Sequence, residues 1–269
     1  MKVAVLDLYE GVPNEGMRCI REMLLQFAEA RQIPLQLNEF DVRGQGKVPD
    51  LGYDVYISSG GPGSPVDSAG SAWEASYFGW LNAVLDWNRK EGRSKKHVFL
   101  ICHSFQIVCR YFQLGEVCRR KSPAFGVFPV HLTASGEKEP IFAGLEDPFY
   151  IVDSRHWQVI QPNEANLAAM GAEVLAIEKE RPHVPLERAT MAIRFNPYMI
   201  GTQFHPEADA EGMHKYLRQP ACRKRVVGDH GEEKYENMLE LLQQPDKILR
   251  THDTLLPNFL ETALQYQHT

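Results

Sequence analysis

The chain has 269 residues, of which 43% are apolar and 24% charged, and a formal net charge of −6 at pH 7. That length fits one large domain or a domain with an appendage, and it can bury a substantial core. The acidic balance gives no electrostatic case for nucleic acid or an anionic membrane as partner, and no stretch approaches the roughly 18 apolar residues of a spanning helix.

Met1 to Asp7 becomes charged before an apolar segment of signal length can form. Five cysteines, at 19, 102, 109, 118 and 222, make an odd number with no C-x-x-C pair. This argues against a disulfide framework and against a zinc site, so a reducing cytoplasm is the expected location, with no metal or other cofactor. Arg223-Lys224-Arg225 is the only compact basic run, expected to be a solvated loop.

In chain order, residues 3–8 read as a buried strand, and 14–32 as a helix with Met17, Ile20, Leu24, Phe27 and Ala28 on one face. Residues 35–40 give a second strand, and glycines 44 and 46 with Pro49 mark a loop. A third strand at 53–58 runs into Ser59-Gly60-Gly61-Pro62-Gly63. A helix follows at 73–90, then a fourth strand at 97–102 and a helix at 104–114. Such alternation implies a mostly parallel sheet with helices on both faces, and ligands bind outside the C-terminal strand ends of such sheets. Residues 116–206 read as short strands at 127–132, 149–152, 173–177, 191–195 and 199–204, adding antiparallel strands before a return to the main sheet. From Ala208 the pattern is helical, at 209–219, 232–243 and 247–265. This tail is too short for a sizeable core of its own and is expected to pack on the main domain.

The chemistry centres on the passage from strand to helix at Ile101-Cys102-His103. A tight bend there exposes the cysteine at a helix N-terminus, where backbone N–H groups favour a thiolate. Alone, such a cysteine is as well explained by ordinary burial. A second stretch, Gln203-Phe204-His205-Pro206-Glu207, delivers an imidazole at a strand end with a carboxylate two residues on. A nucleophilic cysteine needs a base, and the base an orienting acceptor; Cys102, His205 and Glu207 fill those roles. Alone, His-Pro-Glu reads as a surface turn. The glycines at 60, 61 and 63 lack the spacing of a phosphate loop and better suit backbone approach to an oxyanion, with a plain tight turn as the alternative.

Taken together, Ser59-Gly60-Gly61-Pro62, Ile101-Cys102 with Gln106, and Gln203 to Glu207 resemble the three signature blocks of class I glutamine amidotransferase domains of the stand-alone, GMP synthase-like glutaminase type. Phe142-Ala143-Gly144-Leu145 resembles a connecting segment. The resemblance covers about residues 1–207 and leaves 208–269 as a helical C-terminal extension. It implies an α/β, three-layer, doubly wound fold of flavodoxin-like type with added antiparallel strands. It also implies that Cys102 attacks the glutamine side-chain amide to form a γ-glutamyl thioester and release ammonia. His205 moves the proton and Glu207 holds its ring. The N–H groups of Gly61 and His103 form the oxyanion hole. Gly60, Gln106 and the segment with Arg155, His156 and Trp157 lie where the substrate binds. His156 and Trp157 read equally well as a strand-end pair packed on the core.

The family elbow usually carries glycine two residues before and two after the cysteine; here Leu100 and Ser104 stand there, so either the neighbouring segment is reshaped to admit Leu100 or the elbow is relaxed. Glutamine or a γ-glutamyl small molecule is the expected ligand, with a separate ammonia-accepting enzyme as a further partner. Hydrolysis of other γ-glutamyl amides, an acyltransferase on the same frame, and a degenerate binding module stay open as alternatives.

Overall fold

The computed structural model describes residues 1–12, 14–182, 185–244 and 247–266. One sheet of nine strands organises it: β1 (Lys2–Asp7), β2 (Gln36–Asp41), β3 (Val55–Ser58), β4 (His97–Ile101), β5 (Glu116–Leu132), β6 (Phe149–Ile160), β7 (Glu173–Glu178), β8 (Thr190–Asn196) and β9 (Met199–Thr202). Their spatial order is β2-β1-β3-β4-β9-β8-β7-β5-β6. The first five in that row are parallel, and the remainder join antiparallel. β3 and β4 are buried along their whole length, as the unbroken apolar runs of a sheet covered on both faces require.

Nine α-helices accompany the strands among the described residues: α1 (Glu15–Arg31), α2 (Val42–Gln45), α3 (Ala72–Arg89), α4 (His103–Tyr111), α5 (Glu164–Met170), α6 (Ala210–Leu217), α7 (Pro220–His230), α8 (Glu232–Leu242) and α9 (Ile248–Gln265). Asn14 caps α1 by accepting from the Met17 N–H, and Ser71 caps α3 by accepting from Glu74. The apolar side of α1 and that of α9 meet one face of the sheet, where Phe259 packs edge-on against Phe99 with ring centroids 5.1 Å apart. Tyr77, Trp80, Leu81 and Val84 of α3 cover the other face together with α4. The result is a three-layer, doubly wound α/β fold with a helical C-terminal extension. No described helix is long and apolar enough to cross a membrane.

The extension enters the packing in two places. Asn258 on α9 donates to the carbonyl oxygens of Pro140, Ile141 and Ala143, and Thr251 donates to Tyr150. Helices α6 to α8 bury Leu217, Val226, Tyr235, Met238 and Leu242 against Phe125, Val127 and Val152 of β5 and β6.

Three expectations need correction. The basic run at 223–225 lies in α7 rather than in a loop. Arg223 pairs with Glu232 and lies over the Tyr235 ring, 5.4 Å from its centroid, while the Arg225 side chain is outside what is described. β5 and β6 are much longer than the short segments at 127–132 and 149–152. Their pairing continues through Glu116 to Arg119, with a register shift between Arg119 and Ala124. The extra charged residues are accommodated because Arg120 is neutralised in place by Glu178, at 2.9 Å. The helix at 164–170 has no counterpart among the expected elements.

Candidate active site

The parallel register places Leu100 opposite Gly201 and Ile101 opposite Thr202, and the Cys102 N–H donates to the Thr202 carbonyl at 2.8 Å. Cys102 therefore emerges beside the start of Gln203 to Glu207. It occupies the bend between β4 and α4 with φ 49° and ψ −97°, a region costly for a residue with a side chain. Ser104 holds the bend: its hydroxyl accepts from the Ile101 N–H at 2.8 Å and reaches the Ser58 carbonyl at 2.8 Å, tying the elbow to β3.

His205 is fixed from the other side. Its N–H donates to the Val152 carbonyl of β6 at 3.0 Å. Its Nδ1 lies 2.8 Å from Glu207 Oε1, and the imidazole is close enough to Cys102 for the sulfur to influence its charge. With Nδ1 occupied, Nε2 is the atom left for the sulfur. Burial alone disfavours a charged imidazole, but the Glu207 carboxylate and the Cys102 sulfur outweigh it and raise the His205 pKa well above its ordinary value. Glu207 is buried, its Oε2 lacks a partner among the described residues, and its carbonyl oxygen meets His252 Nδ1 of α9 at 3.0 Å.

Two glycines make this approach possible. A methyl group on Gly60 would lie 2.9 Å from His205 Cε1, 3.1 Å from the Tyr9 hydroxyl and 3.6 Å from Cys102 Cβ. On Gly61 it would lie 2.4 Å from the Leu8 carbonyl oxygen. Gly60 thus packs directly against the imidazole, and Gly61 against the end of β1. Gly61 and His103 both line the cavity above Cys102, and the His103 N–H is at the first position of α4, where no intrahelical acceptor exists. The His103 side chain turns inward against Trp73, with ring centroids 6.5 Å apart. Burial, with Arg43 and Arg110 nearby, lowers its pKa to about 3, so its ring is neutral.

The remaining residues singled out in the sequence take distinct places. Gln106 donates to Gln203 Oε1 at 3.1 Å, and Gln203 Nε2 donates toward Cys102 Sγ at 3.7 Å. The Ser154 carbonyl is 4.0 Å from the same sulfur. His156 is exposed and Trp157 half-buried, and both line the cavity. Arg155 also borders it, but its guanidinium is committed elsewhere. Nε donates to both Asp153 oxygens at 2.9 Å, and the far nitrogen reaches Glu178 at 3.4 Å.

Two participants are given no role by the sequence: Tyr9 is not singled out there, and Gln203 only opens the block that ends at Glu207. Tyr9, just past β1, brings its hydroxyl to the space between Gly60 and Gly16. Burial together with the nearby Glu207 and Cys102 raises its pKa and keeps the phenol neutral. Gln203 links Gln106 to the sulfur, a relation that exists only once β9 lies beside β4. The cavity they share has a volume of about 600 Å³ and opens at the C-terminal ends of β1, β3 and β4, where a sheet of this order places its ligands.

Fold and elbow together define an α/β protein with a cysteine at the strand-to-helix turn and a histidine–carboxylate pair facing it. Residues 17–222 match the family model "Glutamine amidotransferase class-I", and the chain belongs to that family. Among solved structures, it resembles a glutamine amidotransferase from Thermotoga maritima at 15% identity, with a TM-score of 0.68 and 98% of both chains covered. A glutamine amido transferase from Methylobacillus flagellatus is similar at 14% identity and a TM-score of 0.66, covering 98% of this chain and 94% of that one. The Trypanosoma brucei CTPS glutaminase domain with bound acivicin gives 13% identity and a TM-score of 0.61, again covering 98% and 94%. No curated protein matches the chain.

Proposed function

We propose that the protein hydrolyses the side-chain amide of glutamine through a γ-glutamyl thioester on Cys102. The observation that carries this reading is the joint placement of a cysteine on a strained bend and, beside it, an imidazole bonded to a buried carboxylate. The sulfur attacks the amide carbon, and the oxyanion that forms accepts from the N–H groups of Gly61 and His103. Charged His205 gives its proton to the departing ammonia, then takes one from water as the thioester is cleaved to glutamate. Glu207 keeps the ring oriented and its charge compensated throughout. Gly60, Gln106, His156 and Trp157 border the bound substrate. Arg155 shapes that border through the strand it braces.

On this reading, residues 1–207 carry the chemistry and 208–269 form an extension that walls the cavity. The ammonia passes to water or to a separate enzyme that consumes it. Support for the latter comes from a similar protein of Thermoplasma acidophilum, whose name makes it one subunit of a putative GMP synthase. Five cysteines with no disulfide among the described residues accord with a reducing, cytoplasmic setting.

The test is mass-spectrometric labelling by a glutamine-mimicking electrophile, in wild type and in Cys102→Ala, with ammonia release measured in parallel. Labelling at Cys102 and its loss in the variant, with ammonia produced from glutamine, is the expected result. Neither modification nor turnover would leave a binding module as the better description.

A further inference from the structure

The two N–H groups assigned to the oxyanion come from different parts of the chain, Gly61 from the loop after β3 and His103 from the start of α4. Such a donor works only if it is already aimed at the place where negative charge develops. The loop is pinned ahead of Gly61 by Ser59, whose N–H donates to the Leu6 carbonyl at 3.0 Å and whose hydroxyl accepts from the Leu8 N–H at 2.9 Å. Beyond Gly61 comes Pro62, which has no N–H to donate, so its carbonyl is the group by which that side can be held.

Arg43 of α2 holds it. Its Nη1 donates to the Pro62 carbonyl at 2.5 Å and to the Leu8 carbonyl at 3.2 Å. The Leu8 oxygen is the atom on which Gly61 is seated, with room for no methyl group between them. One nitrogen therefore spans Gly61, bonding both the residue it rests on and the residue that follows it. A methyl group on Gly63 would lie 3.5 Å from Nη2, so the guanidinium runs along the whole turn from Gly61 to Gly63. Nη2 also pairs with Glu10 at 3.1 Å, and the Arg43 side chain is 10% exposed.

The same guanidinium lies over Trp73 of α3, with Cζ 5.3 Å from the ring centroid. Trp73 is in turn the neighbour of the His103 ring. A single stack thus backs both donors. Neither Arg43 nor Trp73 is among the described residues that line the cavity, so their effect on the reaction must pass through the peptide groups in front of them.

We infer that Arg43 is a positioning residue for the oxyanion hole: by clasping the Leu8 and Pro62 carbonyls while resting on Trp73, it fixes the direction of the Gly61 N–H and supports the turn at His103. The inference rests on the thioester reading given above. In the step concerned, a C–S bond forms and the carbonyl electron pair moves onto oxygen. As that pair returns, the C–N bond breaks and ammonia leaves with the proton from His205. Arg43 matters only while the charge sits on oxygen. Binding of glutamine and the reactivity of the sulfur do not depend on it.

The experiment compares full-chain Arg43→Met and Arg43→Lys with wild type in two reactions. One is glutamine hydrolysis; the other is alkylation of Cys102 by iodoacetamide, followed at that residue by mass spectrometry. Alkylation displaces iodide from a saturated carbon and creates no oxyanion. Arg43→Met is expected to lower kcat by at least about tenfold, short of the roughly 10²–10³-fold that loss of a whole donor costs. KM and the alkylation rate should stay at their wild-type values. Lysine keeps the charge without the fork that serves two carbonyls, so its kcat should fall between the two. The milder variant also guards against misfolding, and the unfolding midpoint of each is measured alongside. An unchanged kcat in the folded variants, a loss confined to KM, or alkylation slowed in step with kcat overturns the assignment while leaving the cysteine chemistry standing. A wild-type protein that neither hydrolyses glutamine nor is labelled at Cys102 overturns the thioester reading and this inference with it.

Discussion

Leu100 on β4 lies directly opposite Gly201 on β9, and a methyl group on Gly201 would approach both Leu100 Cβ and Phe105 Cδ2 to 3.0 Å. The family pattern has glycine two residues before the nucleophile; this chain has leucine, fully buried. The space that a glycine would have supplied on the elbow strand comes instead from the strand beside it.

Gly201→Ala is therefore expected to destabilise the protein by about 1–3 kcal/mol, the usual cost of overpacking a close-packed site. It should also slow labelling of Cys102, because Leu100 and Phe105 flank the elbow. The methyl group meets the Leu100 Cβ, so Leu100→Gly in the same chain, which removes that atom, should recover part of the loss. Denaturant unfolding of the two single variants and the double variant measures that coupling. Additive losses would mean that the strand pair tolerates the methyl group by another route.

The elbow and the His-Pro-Glu turn are legible in the sequence because each is a local pattern: a buried strand that changes period at Cys102, and a strand that stops at Pro206. The parallel half of the sheet is legible for the same reason. What is hidden depends on pairing. Residues 119–123 carry Arg119, Arg120, Lys121 and Pro123, which read as a break between strands. They lie within one long β5 whose ladder with β6 shifts register between Arg119 and Ala124, and Glu178 compensates Arg120. The contacts of Gln203 and Tyr9 with the site cannot be read from neighbouring residues either. They follow from β9 returning beside β4 and from β1 ending level with the Gly60 loop.

Glu207→Gln keeps the size of the side chain but removes its charge and makes one side of it a donor. His205 Nδ1, 2.8 Å from Glu207 Oε1, then faces an uncharged amide, losing its compensating charge and the charge-assisted strength of its orienting bond. Amide hydrolysis is expected to fall by roughly 10²–10⁴-fold, with the far-UV spectrum unchanged. Full activity in this variant would remove Glu207 from the mechanism.

The same pair governs how His205 titrates. Burial, opposed and outweighed by Glu207 and Cys102, places its pKa well above the ordinary value of 6.5. Because the folded value is the raised one, the stability gained from the imidazolium is fully present below about pH 6.5 and lost as the pH rises through the folded pKa. NMR of the His205 Cε1–H should show a transition well on the alkaline side of a free histidine. In Glu207→Gln the transition should move down, since burial then meets less opposition. A free-histidine titration in wild type would contradict the ion pair.

Gln203 joins two parts of the site, accepting from Gln106 at 3.1 Å and donating toward the sulfur at 3.7 Å. Both glutamines are buried, so Gln203→Met leaves the Gln106 amide without this acceptor, at a cost of about 1–3 kcal/mol. The labelling rate of Cys102 should fall while the bond between His205 and Glu207 persists, so the imidazole titration stays near that of wild type. Movement of both readouts together would indicate general loosening of the elbow rather than a loss at the sulfur.

Behind the β6 wall of the cavity, Arg155 neutralises Asp153 and Glu178 and is itself almost wholly enclosed, with its side chain 1% exposed. Arg155→Met keeps much of the bulk but leaves the buried Asp153 carboxylate without its cation, while Glu178 keeps Arg120 and Arg181, and the loss is expected to cost about 3–5 kcal/mol. Burial alone would raise the Glu178 pKa, but Arg155 and Arg120 outweigh it and hold it below the usual value. Its contribution to stability is therefore present above about pH 4.3 and lost as the pH falls through the depressed folded value. Urea unfolding from pH 4 to 7 should show the gap between wild type and Arg155→Met narrowing toward the acid end, as protonation relieves the stranded Asp153 carboxylate in the variant first. A gap independent of pH would mean that Arg155 braces β6 by packing alone.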